Sequence, residues 1–122
     1  MNESLVQWTL LNNLDFLSKS LDFKIAKKKG QEITTDFGRI DFIVEDFNNN
    51  QMIVELETML NQKSKLEYCF NQMINYKNVS FTYNTEYCIL YASETNRHSR
   101  LRIDRFGEDN DIIIRNTNLF SK

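Results

Sequence analysis

The spacing of hydrophobic and polar residues changes between helical and strand periods, and these changes define the predicted elements. Over residues 2–20, apolar side chains recur at helical spacing and predict an amphipathic first helix. Its expected buried stripe consists of Leu5, Trp8, Leu11, Leu14 and Leu17. Phe23 and Ile25 then alternate with lysines, which predicts a strand over 22–29. We expect Gly30 to turn the chain after this strand.

Two further strands are predicted at 37–45 and 51–58, joined by an asparagine-rich turn at 46–50. Residues 60–77 return to the helical period. The predicted buried stripe of this second helix consists of Leu66, Cys69, Phe70, Met73 and Ile74.

The last third of the chain contains a strand, a basic helix and a final strand. The apolar run at 86–92 is typical of a buried strand. Ser93 or Thr95 can cap the following helix, which we expect to end near Gly107. The run DIIIR at 111–115 predicts the last strand. The resulting order of helix, three strands, helix, strand, helix and strand predicts an α/β fold.

Composition favours one cytoplasmic domain over residues 1–122. Of these residues, 41% are hydrophobic, which is enough for a core. No apolar run approaches the roughly 20 residues of a membrane span, and the first residues lack signal-peptide features. Cys69 and Cys88 lack metal-ligand spacing, so we expect free cytosolic thiols and no membrane association.

A net charge of -2 excludes a uniformly basic nucleic-acid coat protein, but it permits a local phosphate-binding patch. One basic cluster lies in the first predicted strand, and the other lies in the predicted basic helix. The clusters are Lys27, Lys28 and Lys29, and Arg97, Arg100, Arg102 and Arg105. Either cluster could contact DNA or simply form a solvated face.

The predicted hairpin has a register that its apolar residues determine. If the turn centres on Asn48, three cross-strand pairs form one apolar face. These pairs are Phe42 with Val54, Val44 with Met52, and Ile40 with Leu56. The same register places Asp41 opposite Glu55, with Glu57 beside them and Arg39 facing Glu57. The sequence therefore predicts an acidic cluster on a largely apolar hairpin.

Directly opposed carboxylates repel each other, so either one is protonated or a cation lies between them. Clustered carboxylate oxygens suit Mg²⁺ or Mn²⁺. His98 is the only histidine, which makes a conventional zinc site a poor explanation. The alternative is a salt-bridge network in which Arg39 and a lysine neutralise the acids.

Three short motifs carry a resemblance to a known family. The segments GRID at 38–41, VELE at 54–57 and QMINY at 72–76 follow one another on predicted strands and a helix. Together they resemble the PD-(D/E)XK nuclease superfamily, and within it the C-terminal nuclease domain of mismatch or single-strand-junction endonucleases. The resemblance implies a restriction-endonuclease-like core, a central mixed β-sheet flanked by helices in the order αβββαβαβ.

The resemblance also implies roles for individual residues. Asp41 and Glu55 would be ligands of Mg²⁺ or Mn²⁺, with the Leu56 carbonyl as a third ligand. Gln72 would orient the site or contact the substrate phosphate, and Tyr76 would contact substrate one helical turn later.

Two more acids lie where members of this superfamily can have an additional carboxylate. Glu32 precedes the hairpin and is a candidate metal ligand, and Glu3 is a weaker candidate of the same kind. For both residues, the alternative is a surface or capping role.

Glu57 departs from the pattern, because the superfamily usually has lysine at this position. A third carboxylate could favour a second divalent ion and act as a general base. Alternatively, Lys63 or Lys65 could replace the missing lysine and contact the substrate. A third possibility is a degenerate site that does not cut.

Three functions fit the sequence. The leading hypothesis is a Mg²⁺-dependent DNA endonuclease for DNA repair or host defence, with Asp41, Glu55 and Glu57 holding the metal and Arg39 contacting DNA. The second is a non-catalytic DNA-binding or assembly module of the same fold. The third is an unrelated α/β interaction domain with salt-bridged acids. For a nuclease of this size, we expect a homodimer or association with another domain or protein.

Overall fold

The protein folds as a five-stranded sheet with helices on both faces. The computed structural model describes residues 3–36, 38–58, 63–79, 84–91 and 97–117. In chain order, the elements are α1 (Glu3–Leu11), α2 (Leu14–Leu21), β1 (Ile25–Thr35), β2 (Gly38–Asp46), β3 (Gln51–Glu57), α3 (Lys63–Val79), β4 (Thr85–Tyr91), α4 (Arg97–Asn110) and β5 (Ile113–Asn116). The strands lie side by side in their chain order. β1, β2 and β3 are antiparallel, whereas β3, β4 and β5 are parallel. This arrangement confirms the predicted α/β fold with a mixed sheet.

The predicted first helix is two helices, so the element order begins with two helices rather than one. The Asn13 side chain accepts a hydrogen bond from the Phe16 N–H at 3.4 Å and caps α2. This break shifts the helical phase, so the predicted stripe is wrong over α1. Trp8 is 62% exposed, whereas Val6 and Leu10 are buried.

Strand β1 continues through Gly30 instead of turning there. β1 pairs with β2 both before and after a register shift between Lys28 and Gly30. Such a shift within a continuous strand is a β-bulge. A bulge absorbs the glycine without ending the strand, so the predicted turn is wrong. β1 therefore reaches Thr35 and forms one edge of the sheet.

Helix α4 does not end at Gly107 but continues to Asn110. A Cβ at Gly107 would lie 2.6 Å from the Ile114 side chain, so this glycine allows α4 to approach β5 closely. The Gly107 carbonyl accepts a hydrogen bond from the Ile112 N–H at 2.9 Å. The predicted caps, Ser93 and Thr95, lie outside the described residues.

The sheet separates two hydrophobic cores. The first packs α1 and α2 against the sheet and includes Val6, Leu10, Leu17, Leu21, Phe42, Val44, Met52, Val54, Leu56, Cys88 and Leu90. The second lies beneath α3 and α4 and includes Ile40, Ile53, Cys69, Met73, Tyr76, Tyr87, Ile89 and Ile112. Cys69 and Cys88 are free thiols in different cores, as expected. No described helix has the length and apolar character needed to span a membrane.

The hairpin of β2 and β3 has the predicted register, because Phe42 pairs with Val54 and Val44 with Met52. The regular ladder stops at Phe42 and Val54. Beyond it, Ile40 joins the core beneath α3 and α4, whereas Leu56 stays in the opposite core. The prediction that Ile40 shares the face of Leu56 is therefore wrong, and Ile40 lies past the last regular pair of the ladder.

The parallel strands β3 and β4 end together, since Glu57 pairs with Tyr91. The end of the sheet at Glu57 and Tyr91 is called the site edge below. Helices α3 and α4 each follow one of these strands in the chain, so both begin on the side of the site edge.

Candidate active site

Two carboxylates occupy the point where the β2–β3 ladder stops. The Asp41 Oδ2 atom accepts a hydrogen bond from the Leu56 N–H at 2.7 Å. In return, the Asp41 N–H donates to Glu55 Oε1 at 3.3 Å. Each strand thus holds the acid of the other through a backbone N–H. The predicted juxtaposition of Asp41 and Glu55 is confirmed, but side chain-to-backbone bonds make it instead of a regular strand pair.

These two acids are among the least exposed charged residues, at 3% for Asp41 and 6% for Glu55. Burial raises the pKa of Glu55 to about 9, and the negative charge of Asp41 contributes to the rise. Burial also raises the pKa of Asp41, although the Leu56 N–H and Arg39 oppose this. The pair therefore retains a proton at neutral pH unless a cation replaces it.

The acids open into a cavity of about 250 Å³. At about 30 Å³ per water molecule, this volume is large enough for a hydrated ion with a phosphate oxygen beside it. We call this cavity the acid pocket; its lining consists of Glu3, Arg39, Asp41, Glu55, Leu56, Glu57, Lys65, Tyr68 and Gln72.

Helix α1 contributes two polar residues at the pocket, one helical turn apart. Glu3 lines it, and its pKa is raised to about 7 by burial and by the charges of Asp41 and Glu57. Gln7 is 2% exposed and donates from Nε2 to the Asp41 carbonyl at 3.2 Å. Sequence reasoning missed Gln7, whose signal was a polar residue at a position facing the core.

Arg39 lies between two acids without pairing tightly to either. Its guanidinium is 3.7 Å from Asp41 Oδ1 and 3.8 Å from Glu32 Oε1, longer than the usual 2.7–2.9 Å of a charge-assisted hydrogen bond. In the described part of the chain, no lysine forms an ion pair with Asp41 or Glu55. The predicted salt-bridge alternative is therefore only partly realised, and most of the buried negative charge lacks a counterion.

Glu32 is not brought into the acid pocket. Its side chain is half-exposed and pairs with Nη1 of Arg39 at 3.8 Å. Its backbone is left-handed, with a φ of 50°. Glu32 does not contribute to the lining of the pocket. This position does not support its predicted role as a metal ligand.

Gln72 connects the helix motif to the glycine of the GRID motif. It is 8% exposed and donates from Nε2 to the Tyr68 hydroxyl at 2.9 Å. Gly38 has a φ of 129°, and a Cβ there would lie 2.3 Å from Gln72 Nε2. Gly38 thus supplies both the backbone conformation and the space that let Gln72 reach the pocket.

Tyr68 is a site residue that sequence reasoning missed. It is 60% exposed, lines the acid pocket and lies one turn before Gln72 on α3. The signal was its helical spacing with Lys65 and Gln72, which places all three residues on one face of the helix.

Tyr76 lies elsewhere than predicted. It is 1% exposed and packs in the core beneath α3 instead of flanking the apolar stripe. Its hydroxyl faces Gly38, and a Cβ on that glycine would lie 3.1 Å away. Burial and the charge of Glu55 raise the pKa of Tyr76. Such burial does not support the predicted contact with substrate.

The two candidate lysines of α3 differ in position. Lys65 lines the acid pocket, whereas Lys63 is exposed and lies outside its lining. The carboxylate of Glu57 accepts a hydrogen bond from the Thr58 N–H at 3.0 Å. Glu57 also belongs to the lining of the acid pocket.

The lining of the pocket includes carboxylate oxygens, which are the donors that a divalent ion such as Mg²⁺ prefers. Among the residues that the structure describes, no three histidine, cysteine, aspartate or glutamate side chains converge into a preformed metal site. Asp41, Glu55 and the Leu56 carbonyl could hold Mg²⁺ together with water, because Mg²⁺ is usually bound by one or two carboxylates and keeps several waters. A direct bond from Glu57 does not follow from this geometry.

Comparisons with known proteins show that the fold of this chain occurs in other solved structures. Neither a known family's sequence profile nor a curated protein matches the chain. A repair endonuclease from Pyrococcus abyssi superposes with a TM-score of 0.65 at 14% identity, over 95% of this chain and 46% of that one. EndoMS in a complex with dsDNA gives 0.64 at 14% identity, over 94% and 44%.

A third similar structure is Pyrococcus furiosus SfsA in complex with Ca²⁺, with a TM-score of 0.64 at 8% identity, over 93% of this chain and 56% of that one. The chain thus spans about half the length of these proteins. At such identities the likeness shows the fold alone, and that fold is the one found in DNA-repair endonucleases.

Proposed function

We propose that this chain is a divalent-metal-dependent DNA endonuclease domain of the PD-(D/E)XK type. The observation that carries the proposal is the buried pair of Asp41 and Glu55, fixed by reciprocal backbone hydrogen bonds at the end of the hairpin ladder. Burying two carboxylates that share, among the described residues, only one loose ion pair, from Arg39 to Asp41 at 3.7 Å, is unfavourable, and a bound cation would relieve this. The nuclease fold supports hydrolysis of a phosphodiester as the reaction.

Bound Mg²⁺ or Mn²⁺ would neutralise phosphate charge and lower the pKa of a water molecule. The residues of the chain would hold the ion in place. Asp41 is anchored by the Leu56 N–H, and the Leu56 carbonyl is the third proposed oxygen ligand. Glu55 must release its proton when the ion binds, because its pKa of about 9 keeps it protonated at neutral pH.

Lys65 is the best candidate to replace the lysine that the superfamily usually has at the position of Glu57. It lines the acid pocket from α3, on the same helix face as Tyr68 and Gln72. Its flexible side chain can bring an ammonium group to a phosphate oxygen. Glu57 would then remain near the pocket as an acceptor for a proton from water.

The central test is cleavage of labelled duplex, mismatched and branched DNA in Mg²⁺ or Mn²⁺. We expect Asp41→Ala to lower the rate by about 100-fold or more, since even outer-shell residues of metal sites commonly contribute 10–100-fold. Glu32→Ala is the matched control, because it removes a nearby carboxylate that lies outside the pocket. Equal cutting by the wild type and Asp41→Ala would overturn the proposal.

The lysine assignment has its own test. Lys65→Ala should lower the cleavage rate by about 100-fold, a typical effect of removing one group that stabilises transition-state charge. Lys63→Ala removes the same charge two residues earlier and should cut nearly as the wild type does. If Lys63→Ala has the larger effect, the assignment to Lys65 is wrong.

A second candidate is a non-catalytic DNA-binding or assembly module of the same fold. It is favoured by Glu57 in place of lysine and by the absence, within the described residues, of three converging ligands. Calorimetric titration with Mn²⁺ separates the candidates. Heat of binding that disappears in Asp41→Ala supports the nuclease, whereas no binding at millimolar Mn²⁺ supports the module.

Recognition of a DNA target would need more surface than this chain offers. The repair endonucleases that it resembles are about twice as long. We therefore expect a second copy of the chain, or another domain or protein, to contribute to target choice.

A further inference from the structure

The structure separates the two basic clusters of the sequence. Lys28 pairs with Val44 and Lys27 with Glu45, so these lysines lie about 10–13 Å along β2 from Asp41, away from the site edge. Glu45 forms ion pairs with Lys27 at 3.7 Å and with Lys29 at 3.6 Å. This cluster is therefore distant from the acid pocket and partly neutralised.

The arginine cluster lies on a helix whose charge is strongly segregated. Residues 97–103 of α4 contain three arginines and no acid. Residues 104–110 contain three acids and one arginine. Positive charge at a helix N-terminus opposes the helix dipole, which favours anions there. This separation of charge destabilises α4 by itself. An anionic partner at the first two turns of the helix would offset the destabilisation.

Contacts with the rest of the molecule place this basic half beside the acid pocket. Arg102 bonds Glu67 of α3 at 3.0 Å, and Glu67 lies between Lys65 and Tyr68 in the chain. Ile103 packs against Leu66 in the same region. These contacts fix the first half of α4 against the part of α3 that lines the pocket.

Arg97 and Arg100 are exposed, and within the described ranges neither forms an ion pair with an acid. Arg100 is nevertheless close to the site edge. Its charge acts on Tyr91, where burial and Asp104 raise the pKa of the hydroxyl and Arg100 lowers it. Tyr91 pairs with Glu57 across the parallel strands.

We propose that Arg97 and Arg100 form a second DNA contact, which binds the backbone phosphates that flank the phosphodiester in the acid pocket. This inference rests on the proposed function for the identity of the ligand. Packed helices are about 8–10 Å apart, which corresponds to about three nucleotides at 3.4 Å rise per nucleotide. The contact recognises backbone charge, so it strengthens binding without selecting a base sequence.

The test measures the affinity for a labelled duplex by fluorescence anisotropy between about 50 and 200 mM salt, with Ca²⁺ replacing Mg²⁺. The variants are Arg97→Ala/Arg100→Ala and the matched control Lys27→Ala/Lys28→Ala, which removes the same charge from the far cluster. Arg97→Lys/Arg100→Lys keeps the charge. Thermal melting checks that each variant folds.

We expect the arginine-to-alanine pair to reduce the steepness of log K against log salt by about 1.8, since each phosphate contact contributes about 0.9. The lysine-to-alanine pair should leave the slope unchanged, and the arginine-to-lysine pair should restore it. Equal slopes for the two alanine pairs, or no binding of duplex by the wild type, would overturn the inference.

A cleavage arm separates this inference from the proposed function. If the wild type cuts DNA and the arginine-to-alanine pair has an unchanged salt slope, the inference fails and the nuclease stands. If no variant cuts but the slope changes as expected, the arginine surface stands and the nuclease fails.

Discussion

Replacing Glu55 by glutamine tests whether the carboxylate pair is held at the expense of stability. The glutamine side chain has the same shape, and its carbonyl can accept the hydrogen bond that Asp41 N–H donates to Glu55. Its amide can also donate to the Asp41 carboxylate. The substitution therefore keeps the packing and removes only the ionisation of a side chain that is 6% exposed.

The pH dependence follows from the raised pKa of Glu55. The unfolded carboxyl has its ordinary value of 4.5, whereas burial and the Asp41 charge raise the folded value to about 9. Between these values, the folded protein holds a proton that the unfolded chain has released. Stability is thus fully present below the unfolded pKa and is lost as pH rises toward the folded pKa.

The magnitude follows from about 1.4 kcal/mol per pH unit for one proton. From pH 6 to pH 8, the free energy of unfolding should fall by up to about 3 kcal/mol in the wild type without metal. The Glu55→Gln variant should lack this loss and be more stable at pH 8. At about 4 °C per kcal/mol for a domain of this size, the melting temperature of the wild type should fall by about 10 °C from pH 6 to pH 8, whereas that of Glu55→Gln should not.

The assay is chemical or thermal unfolding in EDTA from pH 5 to pH 9, repeated with Mg²⁺. Added Mg²⁺ should restore wild-type stability at pH 8, because the ion replaces the proton, and should stabilise Glu55→Gln much less. Glu86→Gln is the control, since it removes an exposed carboxylate of β4. Parallel pH profiles for the wild type and Glu55→Gln would refute the reasoning.

Two further substitutions test how the α3 residues are held. Gly38→Ala should destabilise the protein by about 2–3 kcal/mol in urea unfolding and slow cleavage, because of its φ of 129° and the 2.3 Å approach to Gln72; wild-type stability would contradict this. Tyr68→Phe removes only the acceptor of the Gln72 hydrogen bond from a 60% exposed side chain. It should slow cleavage about 10-fold without changing the melting temperature, and an unchanged rate would show that this bond does not position Gln72.

Local sequence pattern determined the strands, the α/β class and the hairpin register. Phe42, Val44, Met52 and Val54 alternate so regularly that only one pairing buries them all, and the structure has this pairing. That register was sufficient to predict that Asp41 lies beside Glu55. The predictions worked because strand alternation and turn residues act over a few positions.

Local irregularities limited the prediction of the elements. Asn13 caps a second helix inside an apolar pattern that looks continuous, and a bulge carries β1 past Gly30. In both cases a hydrogen-bonding detail of the backbone overrides the periodicity. The buried residues of α1 were consequently predicted on the wrong helix face.

The tertiary structure alone decided which side chains meet at the site. Two helices that are far apart in the chain bring Glu3, Gln7 and Tyr68 to Asp41 or to its pocket. No local sequence pattern predicts that these residues meet. The tertiary structure also placed the first half of α4, rather than the lysines of β1, against the part of α3 that lines the pocket, because the parallel strands β3 and β4 bring the starts of α3 and α4 to one edge. The sequence by itself determined that two acids face each other; the packing of helices on both faces of the sheet determined that they are buried, short of counterions and open to a ligand.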